Sequence, residues 1–162
     1  MKAQSSKHKT PKNFVDLNNA RPGHSYHSVI SNIVKDGVCP FCPDKLAKYH
    51  KNPIEMKGKF WLVTKNMYPY TAVKHHLLLI HKKHIEHISE ITKDAWLELQ
   101  RTIKKLSKQK NVQGGSLMLR FGDTHFTGAS VNHLHAHIIQ SDPDHKEYKN
   151  PKTMPGVIAR VG

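Results

Sequence analysis

Three histidines stand at alternate positions in the stretch VNHLHAHIIQ: His133, His135 and His137. On a strand, alternate side chains share one face and lie about 7 Å apart, so the three rings are expected together. Imidazole serves as metal ligand, base or nucleophile. The spacing therefore indicates a metal site on one strand or a catalytic histidine flanked by phosphate-binding histidines. A solvent-facing strand that carries histidines by coincidence is the remaining interpretation.

The loop before this stretch favours phosphate chemistry. Gly128-Ala129-Ser130 ends one residue before Val131, which brings a hydroxyl and backbone N–H groups near the histidine face. Such donors, together with imidazole, suit the charged oxygens of a phosphoryl group. The chain carries 26 Lys and Arg against 12 Asp and Glu, a net charge of +14. That excess favours nucleotides, polyphosphates or nucleic acid as partners.

The only two cysteines form the stretch Cys39-Pro40-Phe41-Cys42. A single C-x-x-C pair is typical of half a metal site or of a redox pair with a thiol of lowered pKa. Two thiolates make half of a tetrahedral zinc site, and no second cysteine pair exists. Histidines must therefore complete the site if it binds metal.

The elements that position these residues follow from the hydrophobic pattern. From Thr92 to Lys110, an apolar face with helical spacing is formed by Trp96, Leu99, Ile103 and Leu106, and Thr92 suits the N-cap. Apolar, β-prone stretches at 60–64, 75–81 and 116–121 predict strands beside the histidine strand. The predicted class is α+β, an antiparallel sheet of about five strands with one long helix packed on a face.

Three parts of the chain differ in composition. Residues 1–24 are predicted to form a basic, flexible arm, residues 25–142 a single domain that includes the cysteine pair, and residues 143–162 a tail. No apolar run approaches the roughly 20 residues of a membrane helix, so no membrane partner is expected. The N-terminus has lysines but no apolar segment after them, which predicts a cytoplasmic protein, or a nuclear one in a eukaryote.

The stretch HLHAHII at 133–139 resembles the H-φ-H-φ-H-φ-φ motif of the histidine-triad (HIT) nucleotidyl hydrolases and transferases. Upstream, NMYPY at 66–70, HLLLI at 76–80 and KKHI at 82–85 are similar to the family stretches N-x-Y-P-Y, H-L-L-V-I and K-K-H-I. The cysteine pair stands where zinc-containing members carry C-x-F-C. The resemblance covers residues 36–142, and it implies the HIT-like fold.

The resemblance implies roles for individual residues. His135 would attack the α-phosphorus of a nucleotide and form a covalent nucleotidyl-histidine, while His137 and Ser130 would bind phosphate oxygens. The zinc-containing branch implies a structural zinc ion held by Cys39, Cys42, His84 and His133.

Further family positions imply a substrate site. Its residues would be Asn66, Pro69, Arg120, Gly128 and Ala129. Two of them depart from the family pattern, because an asparagine usually stands near the place of Arg120 and a glutamine at that of Ala129. His125 is expected to be exposed, and His75 and His76 to serve packing or capping.

The resemblance also implies substrates and partners. N-x-Y-P-Y with C-x-F-C is most similar to diadenosine polyphosphate phosphorylases and hydrolases, and adenine nucleotides are favoured by family frequency. The basic charge also suits an aprataxin-like enzyme that removes adenylate from DNA or RNA ends. A non-catalytic nucleotide- or RNA-binding protein is the third alternative. Many family members are homodimers, so a homodimer is expected.

Overall fold

The protein is described here by a computed structural model that covers residues 14–20 and 25–148. Four helices lie within these residues: α1 (Ser25–Asp36), α2 (Pro43–Tyr49), α3 (Lys93–Gln109) and the short α4 (Thr124–Thr127). The strands are β1 (Ile54–Lys57), β2 (Trp61–Lys65), β3 (Val73–His81), β4 (Ser116–Arg120) and β5 (His135–Ser141). None of the helices in these residues has the length and apolarity needed to cross a membrane.

The five strands form one sheet in the order β1-β2-β3-β5-β4, and every neighbouring pair is antiparallel. β3 and β5 occupy the centre, where His135 pairs with Ile80 and His137 with Leu78. Central strands are held by ladder hydrogen bonds on both sides, so the histidine strand has a fixed register. The predicted α+β class, with a five-stranded antiparallel sheet, is confirmed.

Helix α3 covers one face of the sheet. Thr92 caps it by accepting a hydrogen bond from the N–H of Ala95, as its sequence position predicts. The helix buries Ala95, Leu99, Thr102 and Leu106 against Leu77, Leu79, Ala136 and Ile138 of the central strands. Trp96 was predicted on the buried face but is 40% exposed. Leu99 and Leu106 are buried as predicted, whereas Ala95 is buried in place of Trp96 and its carbonyl accepts a hydrogen bond from the Trp61 indole.

The opposite face of the sheet carries the chemistry. Because side chains alternate along β5, Ala136 and Ile138 face α3 whereas His135 and His137 face away from it. On this second face Leu78 and Ile80 pack with Leu46 of α2. Helices α1 and α2 and the cysteine pair therefore lie on the histidine side.

Two local expectations were wrong. His133 precedes β5, so the three histidines do not share one regular strand face. Residues 14–20, assigned to a flexible arm, are packed: Val15 and Ala20 are buried with Val131 and Ile33 in a second small core. Residues 1–13, 21–24 and 149–162, the rest of the predicted arm and most of the predicted tail, lie outside the described part, and the domain boundaries remain predictions.

Candidate active site and metal cluster

His135 is a buried, neutral imidazole with one free nitrogen. Its Nδ1 lies 2.6 Å from the carbonyl oxygen of His133. A carbonyl only accepts, so Nδ1 carries the hydrogen and Nε2 keeps its lone pair. Burial is the main cause that lowers the pKa of His135 to about 4, and the charge of Arg120 lowers it further. At neutral pH the ring is therefore an unprotonated base or nucleophile.

His137 is oriented by a histidine from the neighbouring strand. The N–H of Tyr70 points at Nδ1 of His76, and Nε2 of the same ring lies 2.9 Å from Nδ1 of His137. Nε2 of His137 is a buried atom without a hydrogen-bond partner among the described residues. Burial lowers the pKa of His137 well below its usual value, so the ring is neutral.

His76 therefore contacts the triad, which the sequence did not predict. It was assigned to packing or capping, but its Nε2 faces Nδ1 of His137. Asn66, a predicted site residue, lies beside the same ring, because its Nδ2 is 3.0 Å from His76 Nε2 and its Oδ1 accepts from the N–H of Tyr68. A signal existed in the strand pattern, since His76 is the first residue of the HLLLI stretch and faces the same side as Leu78.

Arg120 ends strand β4 directly opposite His135. Residues paired in this way share a face of the sheet, which brings the guanidinium beside the triad. The side chain is buried and donates to the carbonyl of Thr127 and, at 3.3 Å, to the hydroxyl of Tyr70. Its charge contributes to the lowered pKa of both His135 and His137. A fixed cation thus lies beside the two neutral imidazoles.

The loop between α4 and β5 closes the site. Gly128 ends α4 with φ at 63°, a left-handed conformation that favours glycine, and its N–H returns to the carbonyl of Thr124. Gly128, Ala129 and Ser130, three of the predicted site residues, all line the cleft. The Ser130 hydroxyl donates to the carbonyl of Asn19, 3.2 Å away. Asn19 was not predicted as a site residue, because its assigned arm gave no reason to place it here.

Part of the cleft wall is apolar and aromatic. Helix α1 contributes Tyr26, whose ring contacts that of Tyr68 at 4.6 Å, and Phe41 stands edge-on to His135 at 5.1 Å. Pro69 was predicted as a substrate contact, but it is exposed and does not line the cleft. Its neighbours Tyr68 and Tyr70 line the cleft instead.

A cluster of four potential metal ligands adjoins this site. The ligand atoms of Cys39, Cys42, His84 and His133 all lie within 4.8 Å of one another. Nδ1 of His133 is 3.3 Å from Sγ of Cys39, and Nδ1 of His84 is 3.6 Å from Sγ of Cys42. A tetrahedral zinc ion with ordinary bond lengths has ligand edges of about 3.3–3.8 Å. The spacing of this cluster is thus compatible with one zinc ion.

The hydrogen positions of the two histidines support the same conclusion. Nε2 of His133 lies 2.6 Å from the carbonyl of His81, and Nε2 of His84 lies 3.0 Å from a carboxylate oxygen of Glu86. Both acceptors require the hydrogen on Nε2, so both Nδ1 atoms present lone pairs to each other at 3.2 Å. A metal ion between the two Nδ1 atoms would satisfy both lone pairs.

The environment of the cysteine pair disfavours a redox role. Burial raises the pKa of the Cys39 thiol to about 12 and also raises that of Cys42. A redox-active thiol needs a lowered pKa, because the thiolate is the reacting form. A bound dication would displace these protons instead. The surroundings favour metal binding over thiol–disulfide exchange.

A family model described as scavenger mRNA decapping enzyme C-term binding matches residues 39–153, which include the four potential metal ligands and all three triad histidines. The match spans more than two thirds of the chain. The chain belongs to this family, a branch of the histidine-triad (HIT) proteins. Among curated proteins, no sequence matches this HIT protein.

Solved HIT structures share the fold. A HIT family hydrolase from Clostridium thermocellum superposes with a TM-score of 0.53 at 23% identity, covering 72% of this chain and 96% of that one. A histidine triad nucleotide-binding protein from Candida albicans gives 0.55 at 19% identity, over 67% and 78% of the two chains. A zinc-bound histidine triad family protein from Mycobacterium smegmatis gives 0.51 at 17% identity, over the same shares. These identities are low, and what they show is the common fold.

Proposed function

We propose that this HIT protein is a nucleotidyl hydrolase or transferase that cleaves at an α-phosphorus through a covalent intermediate on His135. One observation carries the proposal: the free Nε2 of neutral His135 lies in a cleft that also holds the buried, unpartnered Nε2 of His137 and the guanidinium of Arg120. A nucleophile beside donors for developing negative charge is the arrangement that phosphoryl substitution needs.

The reaction proceeds in two displacements. The Nε2 lone pair of His135 forms a bond to the α-phosphorus, and the bond from phosphorus to the leaving group breaks with its electron pair going to that group. The Nδ1–H bond to the His133 carbonyl stabilises the imidazolium that forms. Water or phosphate then attacks the same phosphorus, loses its proton, and returns His135 to its neutral state. His137, Arg120 and the backbone N–H of Ser130 hold the phosphate oxygens in both steps.

The cleft supports a nucleotide as the substrate. Its aromatic part, with Tyr26 and Tyr68, suits a nucleobase, and its basic part suits the phosphates. Asn66, Gly128 and Ala129 complete the binding site in this proposal. We assign an adenylyl phosphoanhydride, such as a dinucleoside polyphosphate, as the first candidate, with esters and amidates of the same nucleotide as alternatives. The buried cation of Arg120 favours a leaving group that is itself a phosphate.

A second candidate comes from the matched family, whose description names mRNA decapping. A cap is also a dinucleoside polyphosphate, so the same site and the same two displacements would apply to a capped dinucleotide. The net charge of +14 is compatible with an RNA end as the source of that substrate.

A zinc ion is part of the proposal, held by Cys39, Cys42, His84 and His133 in a closed set of four ligands. It would supply structural stabilisation and no open position for substrate. A homodimer is also proposed, since Trp96, Leu97, Leu117 and Phe121 leave apolar side chains exposed on α3, on the edge strand β4 and just after it.

A product assay tests the proposal. Purified protein and its His135→Ala variant are incubated with diadenosine triphosphate, a capped dinucleotide, an adenosine phosphoramidate and a 5′-adenylated oligonucleotide, and nucleotides are separated by chromatography. We expect wild-type protein to release a nucleoside monophosphate from at least one phosphoanhydride, and the variant to be at least a thousandfold slower. Absence of product from all four substrates, or equal rates for the two proteins, would contradict the proposal.

A further inference from the structure

Residues Phe14–Ala20 form a strap across the loop that closes the catalytic cleft. The N–H of Asp16 donates to the carbonyl of Ser130 at 2.9 Å, and the N–H of Asn132 donates to the carbonyl of Phe14 at 2.8 Å. These bonds make an isolated antiparallel bridge between Val15 and Val131. The strap thus runs as a short partner strand beside the segment that leads from the cleft loop into β5.

The strap has anchors apart from its contacts with the cleft loop. Val15 and Ala20 are buried with Ile30 and Ile33 of α1. The ring of Phe14 stands edge-on to that of His84 with 5.3 Å between centroids. Since these contacts involve apolar surface and backbone atoms, the strap remains docked when a single polar side chain on it is removed.

Asn19 reaches the loop through its side chain, as does Asp16, whose Oδ2 accepts from the Thr124 hydroxyl at 3.2 Å. The Asn19 amide nitrogen donates to the carbonyl of Thr124 at 2.8 Å and to that of Ala129 at 3.1 Å. Its own carbonyl accepts from the Ser130 hydroxyl. The side chain is half-buried and borders the cleft. One residue therefore fixes both ends of the loop segment 124–130 and the hydroxyl of its last residue.

These hydrogen bonds fix the orientation of peptide C=O and N–H groups in the loop. In a trans peptide the C=O and the following N–H point in opposite directions, and the described residues contain no cis peptide. Because Asn19 holds the carbonyl of Ala129, the N–H of Ser130 in the same peptide unit points away from Asn19. The carbonyl oxygens of Thr124 and Ala129 are also turned toward Asn19. They are thereby kept away from the anion that the cleft would bind, which they would repel.

We propose that Asn19 is a positioning residue that sets the cleft loop for phosphate, an inference that rests on the proposed nucleotidyl transfer. It acts through Ala129 and Ser130 and makes no bond to the reacting atoms. Its contribution is greatest in the transition state, where misplaced donors cost most. Its loss is therefore expected to lower kcat more than it raises KM.

Asn18 provides a matched control on the same turn of the strap. It is exposed, whereas its neighbour Asn19 is half-buried. The full-length variants Asn19→Ala, Asn19→Leu and Asn18→Ala are compared with wild type, using diadenosine triphosphate for steady-state kinetics. We expect both Asn19 variants to lose about tenfold or more in kcat with KM changed less than about threefold. Asn18→Ala is expected to match wild type.

A second readout does not depend on turnover. The backbone amide of Ser130 is followed by ¹H–¹⁵N NMR, with and without AMP. Its resonance is expected to shift or broaden in both Asn19 variants and to stay unchanged in Asn18→Ala. A purely structural role would lower the melting temperature but leave kcat of the folded enzyme intact. Wild-type kcat in both Asn19 variants, or an unperturbed Ser130 amide, would overturn the positioning role, whereas an inactive wild type with a perturbed amide would contradict only the proposed function.

Discussion

At the scale of single residues, the different surroundings of the three triad histidines give each side chain a different chemical role. His133 has its pKa lowered to about 3 by burial and directs Nδ1 into the metal cluster. His135 keeps a bare Nε2 because its Nδ1–H is held by the His133 carbonyl, whereas Nδ1 of His137 faces His76 and its Nε2 has no partner among the described residues. A hydrogen bond to the other ring nitrogen decides the roles of His133 and His135.

The lowered pKa of His135 predicts the pH dependence of catalysis. Attack requires neutral imidazole, so activity falls as pH drops through the pKa, and a pKa of about 4 places that fall well below the ordinary value of 6.5. We expect kcat/KM to stay flat from pH 8 to about 5.5. Half-maximal kcat/KM near pH 6.5 in the wild type would contradict this assignment.

Arg120 also lowers the pKa of His135, by less than burial does. Removing its charge in Arg120→Asn raises the pKa of His135, because a nearby cation disfavours the protonated ring. The acid limb of kcat/KM should therefore move to higher pH, and kcat should fall about tenfold or more through loss of a phosphate donor. Arg120→Lys keeps the charge and is the control, so its acid limb should stay near that of wild type. An unchanged acid limb in Arg120→Asn would rule out the electrostatic role.

At the scale of elements, the metal cluster joins parts that are far apart in sequence. The cysteine pair lies between α1 and α2, His84 follows β3, and His133 precedes β5. The His133 residue that offers a ligand atom also supplies the carbonyl that orients His135. Loss of metal would therefore loosen the entry to β5 as well as the cysteine pair.

Zinc removal tests this linkage. Protein purified without added zinc should contain about one equivalent by metal analysis, and under about half an equivalent would count against the site. Chelation, or Cys42→Ser, should lower the melting temperature by several degrees, since the facing Nδ1 atoms lose their cation. Asp44→Asn, an exposed change two residues from Cys42, should leave both metal content and melting temperature unchanged.

At the scale of the whole molecule, the sequence predicted those features that depend on hydrophobic periodicity and on the chemistry of potential metal ligands. The antiparallel sheet and α3 followed from hydrophobic spacing, and the four metal donors from the cysteine pair and the family resemblance. The edge strand β1 was not located, because Ile54-Glu55-Met56-Lys57 is short and half polar. The strap and the contact from His76 to His137 depend on residues more than 60 positions apart, which no local pattern reports. The site therefore needed tertiary structure for its supporting residues, though not for the triad histidines.

The proposed reaction requires His135 to form a covalent bond to the nucleotide. Mass spectrometry of the intact protein, quenched in the presence of diadenosine triphosphate, measures that bond directly. We expect a mass increase equal to one adenylyl group, mapped to the peptide that contains His135 and absent from His135→Ala. An adduct that persists in His135→Ala, or that maps to another residue, would contradict it.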